Sequence, residues 1–134
     1  MRMVTVDALD DIARGAAVLG TGGGGDPYIG KLMAQATLRR CGDVALLDPL
    51  ALADDDIVVP SAMMGAPTVM VEKLPRGEEI ITAFKTLETY IGRPVRATMS
   101  CEAGGLNSTT PFTVAAELGI PLVDGDMMGR AFPE

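Results

Sequence analysis

Residues 20–30 read GTGGGGDPYIG, and the elements on either side of this glycine run decide which fold it belongs to. Gly20, Gly22 and Gly25 match the spacing G-x-G-x-x-G of a dinucleotide-binding loop. That fingerprint requires a strand before the glycines and a helix after them. Residues 5–19 instead predict a helix, because their apolar residues recur at helical spacing. The context therefore argues against a Rossmann-type nucleotide site.

A succession of helices and short strands is predicted around the glycine run. Thr5 is the expected N-cap of the helix over residues 5–19, and Asp26 with Pro27 starts a second helix over residues 26–40. The other predicted elements are strands at Val44–Leu47, Ile57–Val59, Pro94–Cys101 and Leu122–Val123, and helices at Gly77–Tyr90 and from Thr110 to Gly119. Strands that alternate with helices predict an α/β fold with a mainly parallel sheet and flanking helices.

Composition excludes several kinds of chemistry. The net charge is −7 with no basic run, which argues against nucleic-acid binding. The chain has no histidine, which excludes Ser-His-Asp and Cys-His mechanisms and His-ligated zinc within it. The longest uncharged run, residues 57–71, holds two prolines and is too short to span a bilayer. With no apolar signal core at the N-terminus, the sequence predicts a cytoplasmic protein, in which Cys41 and Cys101 are free thiols.

Two readings of the glycine run remain open. It is a flexible connection between two helices, or it is a cradle whose backbone N–H groups approach a carboxylate, phosphate or amide oxygen. The helix that follows supports the second reading, because its N-terminus adds a partial positive charge. The residues that would bind an anion are then Gly22, Gly23, Gly24, Gly25 and Asp26.

Ligands of parallel α/β sheets gather beyond the carboxyl ends of the strands, and three such ends carry unusual residues. They read PSAMMGAP at 60–67, CEAGGLNS at 101–108 and DGDMMGRAFPE at 124–134. Glu102 is a candidate general base, metal ligand or substrate anchor. The alternative is a carboxylate that caps backbone N–H groups in the loop of Gly104 and Gly105. Asn107 is a candidate ligand-binding residue or a cap of the next helix.

The last strand end carries two further carboxylates and one cation. Asp124 and Asp126 suit an acid/base pair or an oxygen-rich cation site. One turn aspartate and one solvated aspartate would explain the same pattern. Arg130 is a candidate to hold a substrate carboxylate through a bidentate pair, or it is a surface residue.

Three stretches together resemble the S-methyl thiohydantoin desulfurase-like family, DUF917. They are GTGGGGDPYIG, EAGGLNSTTPFTVAAELGIPLVDGD and MGRAFPE, and the resemblance runs across nearly the whole chain. It implies hydrolysis of a cyclic amide or thioamide ring of the hydantoin or thiohydantoin class. The family motifs fall on Gly22–Asp26, Glu102, Gly104, Gly105, Asn107, Asp124, Asp126, Gly129, Arg130 and Glu134.

Family members are longer and have a second domain, which defines the expectations for this chain. Residues 1–134 are expected to form a single α/β domain, as the N-terminal part of a longer protein or as a split subunit. The favoured hypothesis is a hydrolase in which Glu102, Asp124 and Asp126 activate water and the glycine loop stabilises a developing oxyanion or thiolate. The alternative is a non-catalytic ligand-binding or assembly subunit whose partner carries the chemistry.

Cofactors and partners follow from the same resemblance. The sequence leaves open a divalent metal completed by residues outside this chain. An apolar chain of this kind is expected to expose a hydrophobic face and to form a homo-oligomer or a complex with a second chain or domain.

Overall fold

The computed structural model describes residues 2–73 and 75–132, so Glu134 at the end of the MGRAFPE motif lies outside the described residues. The strands are β1 (Arg2–Val4), β2 (Val44–Leu47), β3 (Val58–Ser61), β4 (Ala97–Ser100) and β5 (Leu122–Asp126). The helices are α1 (Ala8–Gly20), α2 (Pro27–Cys41), α3 (Pro67–Glu72), α4 (Glu79–Ile91) and α5 (Thr110–Leu118), with a 3₁₀ turn at Pro49–Ala51.

A five-stranded, mostly parallel sheet organises the fold, as the alternation of strands and helices predicted. Its strand order is β1-β2-β5-β4-β3, and only β1 pairs antiparallel. The carboxyl ends of β2, β3, β4 and β5 therefore share one edge of the sheet, which we call the carboxyl edge. The α1–α2 turn reaches the same edge, because its glycines bond to the segment after β4.

Three apolar clusters hold the helices and sheet together. Cluster I joins α1, α2 and α5 to β1, β2 and β5, and cluster II joins α4 and α5 to β3. Cluster III lies on the other face of the sheet, where Leu52 packs against it. The buried members are Val4, Leu9, Ala34, Leu38, Val44, Leu46, Phe112, Ala115 and Leu122 in cluster I; Val59, Phe84, Val95 and Val114 in cluster II; and Leu47, Ala97 and Val123 in cluster III.

Local bonding corrects the predicted starts of two helices. The first helix starts at Ala8 without a Thr5 cap, because residues 2–4 pair with β2. The fourth helix starts at Glu79, whose carboxylate accepts the N–H groups of Arg76 and Gly77 at 3.0 and 2.9 Å. Those N–H groups, that of Arg76 foremost, lower the pKa of Glu79.

The last strand is longer than Leu122–Val123 and continues to Asp126. The two aspartates predicted for a loop therefore lie within β5, with Gly125 between them. Asp126 is a register partner of Ser100 on β4, so the ends of these two strands meet at the carboxyl edge.

Candidate functional site

The glycine run docks on the loop after β4 through its carbonyl oxygens. The N–H of Gly105 donates to Gly23 O at 3.0 Å, and the N–H groups of Leu106 and Asn107 donate to Gly24 O at 2.7 and 3.0 Å. The two loops predicted from separate parts of the sequence are thus one bonded unit. The element before the run is α1, which confirms that a strand-first nucleotide fingerprint does not apply.

Close approach of the two backbones explains why both loops are rich in glycine. A Cβ on Gly105 would stand 1.9 Å from Gly25 O, and one on Gly24 would stand 2.5 Å from the Cα of Gly104. Contacts below 3 Å do not occur between real atoms of this kind, so no side chain fits at either position. The run connects two helices, as the first reading predicted, and Gly24 and Gly105 are required for its docking on the loop after β4.

Two glycines of the run have N–H groups that donate no hydrogen bond to the described residues. Within residues 2–73 and 75–132, the N–H groups of Gly24 and Gly25 have no hydrogen-bond acceptor. Both residues are partly buried and have positive φ, +72° and +86°. The docking geometry thus uses carbonyls and leaves N–H groups open beside the loop after β4.

Asp26 acts as the N-cap of α2. Its carboxylate accepts the N–H of Tyr28 at 2.8 Å, and Pro27 occupies the first helical position. This is the predicted start of the second helix. The cap supplies the negative charge at the helix N-terminus from the chain itself.

Glu102 lies in the space that two glycines leave open. Its Oε1 is 2.7 Å from the point a Cβ would occupy on Gly24, and at the same distance from that point on Gly104. The side-chain amide of Asn107 donates to this oxygen at 2.9 Å. The Oε2 atom has no partner among the described residues, and none of their fully buried side-chain oxygens is left unpaired, so Oε2 reaches solvent.

Each polar group of Asn107, in the side chain and in the main chain, has a hydrogen-bond partner within the protein. Its side chain donates to Met63 O at 3.2 Å and accepts the N–H of Met63 at 2.8 Å, in addition to the Glu102 bond. Its carbonyl accepts the Ser100 hydroxyl at 2.9 Å. Its side chain does not cap α5, whose N-cap is Thr109. The residue thus connects the glycine run, the end of β4 and the segment after β3.

The remaining candidates lie at the same edge in separate arrangements. The Asp126 carboxylate accepts the N–H groups of Met128, at 2.8 Å, and of Gly129, which is the geometry of a turn. Asp124 is exposed and pairs with Arg2 at 3.6 Å. Arg130 stacks on the Phe132 ring at 3.9 Å and donates to Ala131 O. Over the described ranges, no three His, Cys, Asp or Glu side chains come together as metal ligands, so these residues alone do not fit a metal.

Both cysteines are free, as predicted, with Cys41 exposed and Cys101 partly buried. Two cavities lie away from the carboxyl edge. A groove of about 620 Å³ between α2, α4 and α5 is lined by Arg40, Lys85 and Glu117 among others. A second cavity, of about 410 Å³, lies at the opposite edge, beside Asp55 and Arg93. Neither cavity is lined by Glu102 or Arg130.

Comparison with known proteins identifies the family. The model described as S-Me-THD-like, N-terminal domain, matches residues 7–134. The chain belongs to this family. The S-Me-THD-like resemblance inferred from the glycine run and the later motifs is therefore confirmed.

A solved relative supports the same fold. The crystal structure of a protein from Chromobacterium violaceum matches this chain with a TM-score of 0.78, and the two sequences are 29% identical over the match. The match covers 99% of this chain and 37% of that one, so this chain spans little more than a third of the relative's length. No curated protein sequence matches the chain. In the part of the chain that the structure describes, no helix has the length and apolar character needed to cross a membrane.

Proposed function

We propose that this S-Me-THD-like domain contributes the water-activating carboxylate of a hydrolase that acts on a cyclic amide or thioamide of the hydantoin or thiohydantoin class. The observation that carries the proposal is Glu102. One carboxylate oxygen is fixed between Gly24, Gly104 and Asn107, while Oε2 is left without a partner among the described residues and faces solvent. A carboxylate that is fixed at one oxygen and open at the other is arranged for general acid–base work.

The proposed reaction uses this carboxylate, the open N–H groups of the neighbouring glycine run and Arg130 from the segment after β5. Water adds to the ring carbon of the amide or thioamide group, and its proton passes to Glu102 Oε2. The C–N or C–S bond then breaks, and the leaving nitrogen or sulfur takes the proton. The open N–H groups of Gly24 and Gly25 are suited to stabilise the oxyanion or thiolate that develops. Arg130 would hold an acidic substituent of the substrate.

Glu102→Gln tests this role. The matched control is Glu78→Gln, a change at an exposed glutamate beside the groove between α2, α4 and α5. The assay measures turnover of hydantoin, thiohydantoin and S-methyl thiohydantoin by the purified protein with any chain that copurifies. We expect Glu102→Gln to lower kcat by about 10²-fold or more, the usual contribution of a general acid–base residue, with the fold intact. Retained turnover in Glu102→Gln would remove the proposed role.

The second candidate function is a ligand-binding or assembly subunit whose partner carries the chemistry. The observation in its favour is the set of exposed apolar side chains on the carboxyl-edge loops, on a chain that spans 37% of its solved relative. They are Leu50, Met64, Met127, Met128 and Phe132. Under either function we propose that a second copy, chain or domain covers this edge.

Native mass spectrometry with elemental analysis of the same sample separates the two functions. A copurifying chain that alone turns over the substrates supports the assembly role. Turnover that depends on Glu102 supports the hydrolase. A stoichiometric divalent metal would mean that residues beyond the described ones complete a site, since those described do not bring three metal ligands together.

A further inference from the structure

The orientation of the Asn107 amide is determined by its surroundings. With Oδ1 towards the N–H of Met63, both hydrogens of Nδ2 have acceptors, Met63 O and Glu102 Oε1. The flipped amide would place its oxygen against Glu102 Oε1 and Met63 O, and its NH₂ group against the N–H of Met63. All of those contacts are repulsive, so one orientation is fixed.

The main chain holds this amide rigidly in place. The N–H of Asn107 donates to Gly24 O at 3.0 Å, and its carbonyl accepts the Ser100 hydroxyl at 2.9 Å. That hydroxyl also lies 2.6 Å from Glu102 O. With 6% of its surface exposed, Asn107 is buried, and each polar group of its side chain has a partner within the protein.

We infer that Asn107 is a positioning residue that fixes the Glu102 carboxylate and couples it to the Met63 segment, residues 62–66 between β3 and α3. Both side-chain hydrogens of Asn107 and its Oδ1 already have partners within the protein, so the amide serves to orient Glu102 rather than to bind the substrate. The role of Glu102 in this inference rests on the proposed function, whereas the coupling between the two segments does not.

Two substitutions of Asn107 separate its bond to the N–H of Met63 from its bond to the Glu102 carboxylate. Asn107→Asp keeps an acceptor for the N–H of Met63, but it replaces the donor that faces Glu102 and Met63 O with a carboxylate oxygen. Asn107→Leu, of similar shape, removes all three side-chain hydrogen bonds. Amide hydrogen exchange at Met63 reports the bond between its N–H and Asn107. Thermal stability together with turnover reports the bond between Asn107 and Glu102.

We expect Asn107→Leu to speed exchange at Met63 by about tenfold, the value of one net hydrogen bond, while Asn107→Asp leaves it near the parent rate. Adding Glu102→Gln to Asn107→Asp replaces the facing carboxylates with an amide donor and a carboxylate acceptor. The double variant should therefore melt at a higher temperature than Asn107→Asp alone. Exchange at Met63 that is unchanged in Asn107→Leu, or a double variant no more stable than Asn107→Asp, would overturn the inference.

Turnover distinguishes positioning from substrate binding. If Asn107 positions Glu102, Asn107→Asp lowers kcat with little change in KM, whereas a rise in KM alone would mean direct binding and would overturn the inference. If Glu102→Gln keeps full turnover, the proposed function fails, but the exchange and melting results still decide whether Asn107 couples the two segments.

Discussion

Gly24 shows how a single residue can serve both folding and the candidate site. Its carbonyl receives two N–H groups of the loop after β4, and its missing side chain leaves the space that Glu102 Oε1 occupies. Any side chain at this position would have to displace Gly104 or the carboxylate. At Gly24, the same residue therefore holds the two loops together and makes room for the proposed catalytic carboxylate.

Gly24→Ala and Gly22→Ala form a matched pair that tests this point. Both residues have positive φ, +72° and +92°, so alanine is strained by about 1–2 kcal/mol at each. A Cβ on Gly22 meets nothing within 4 Å, whereas one on Gly24 stands 2.5 Å from the Cα of Gly104. We expect Gly24→Ala to lose about 1–3 kcal/mol more in the free energy of unfolding, measured with denaturant. Equal losses would show that the close contact carries no cost.

The sequence identifies candidate residues at this scale but does not reveal their partners. Glu102 stands out at the end of an apolar strand, and four successive glycines are more than a turn needs. That Gly24 touches Gly104, and that Asn107 bonds to Met63, depends on contacts between segments far apart in the chain. No local pattern encodes such contacts, which is why a helix cap was an equally good reading of Asn107.

At the scale of elements, the α1–α2 hairpin brings the glycine run to the carboxyl edge. Lys31 on α2 donates to Asp10 on α1 at 2.8 Å and also lies 5.1 Å from the centre of the Tyr28 ring. The hydrogen bond from Lys31, with its charge acting in the same direction, lowers the pKa of Asp10. This ion pair connects the two helices.

Asp10→Asn should therefore destabilise the protein in a pH-dependent way. A carboxylate whose pKa is lowered by folding contributes stability above its unfolded pKa, about 3.9, and loses it as the pH falls through the lower folded pKa. We expect the melting temperature of Asp10→Asn to be below that of the parent at pH 7 and to converge with it at the acid end of a series down to pH 2.

The control for this series is Asp11→Asn. Asp11 pairs with Arg14 within α1, and the two side chains are 82% and 81% exposed. An exposed pair of this kind is worth little, so its removal should change the melting temperature less than the loss of Asp10. A difference between Asp10→Asn and the parent that is constant with pH would contradict the assigned role of the Asp10–Lys31 pair.

Elements were predicted well where turn residues bound them and poorly where only contacts with distant segments define them. The strand Val44–Leu47 is found at its predicted bounds, because turn-forming residues flank its apolar run, Gly42 and Asp43 before it and Asp48 and Pro49 after it. The short elements β1 and α3, of 3 and 6 residues, were not predicted. β1 is a strand because β2 offers it an antiparallel partner, a contact across about forty residues that no local periodicity encodes.

At the scale of the whole molecule, α5 joins the two sides of the helical layer. Phe112 and Ala115 belong to cluster I, while Val114 on the same helix belongs to cluster II. Neither cluster can open without disturbing this helix. We therefore expect the described fold to unfold as one cooperative unit, as small domains usually do.

The two tyrosines provide one probe for each side, because Tyr28 lies on α2 and Tyr90 on α4. Fluorine NMR of the protein labelled with fluorotyrosine should show both folded resonances disappearing at the same denaturant concentration. Leu38→Ala removes a buried side chain from cluster I, and Phe84→Ala removes one from cluster II. Each should cost about 2–5 kcal/mol and move both resonances together, because the clusters share α5. A Phe84→Ala variant in which only the Tyr90 resonance shifts its midpoint would show that the α4 side unfolds separately.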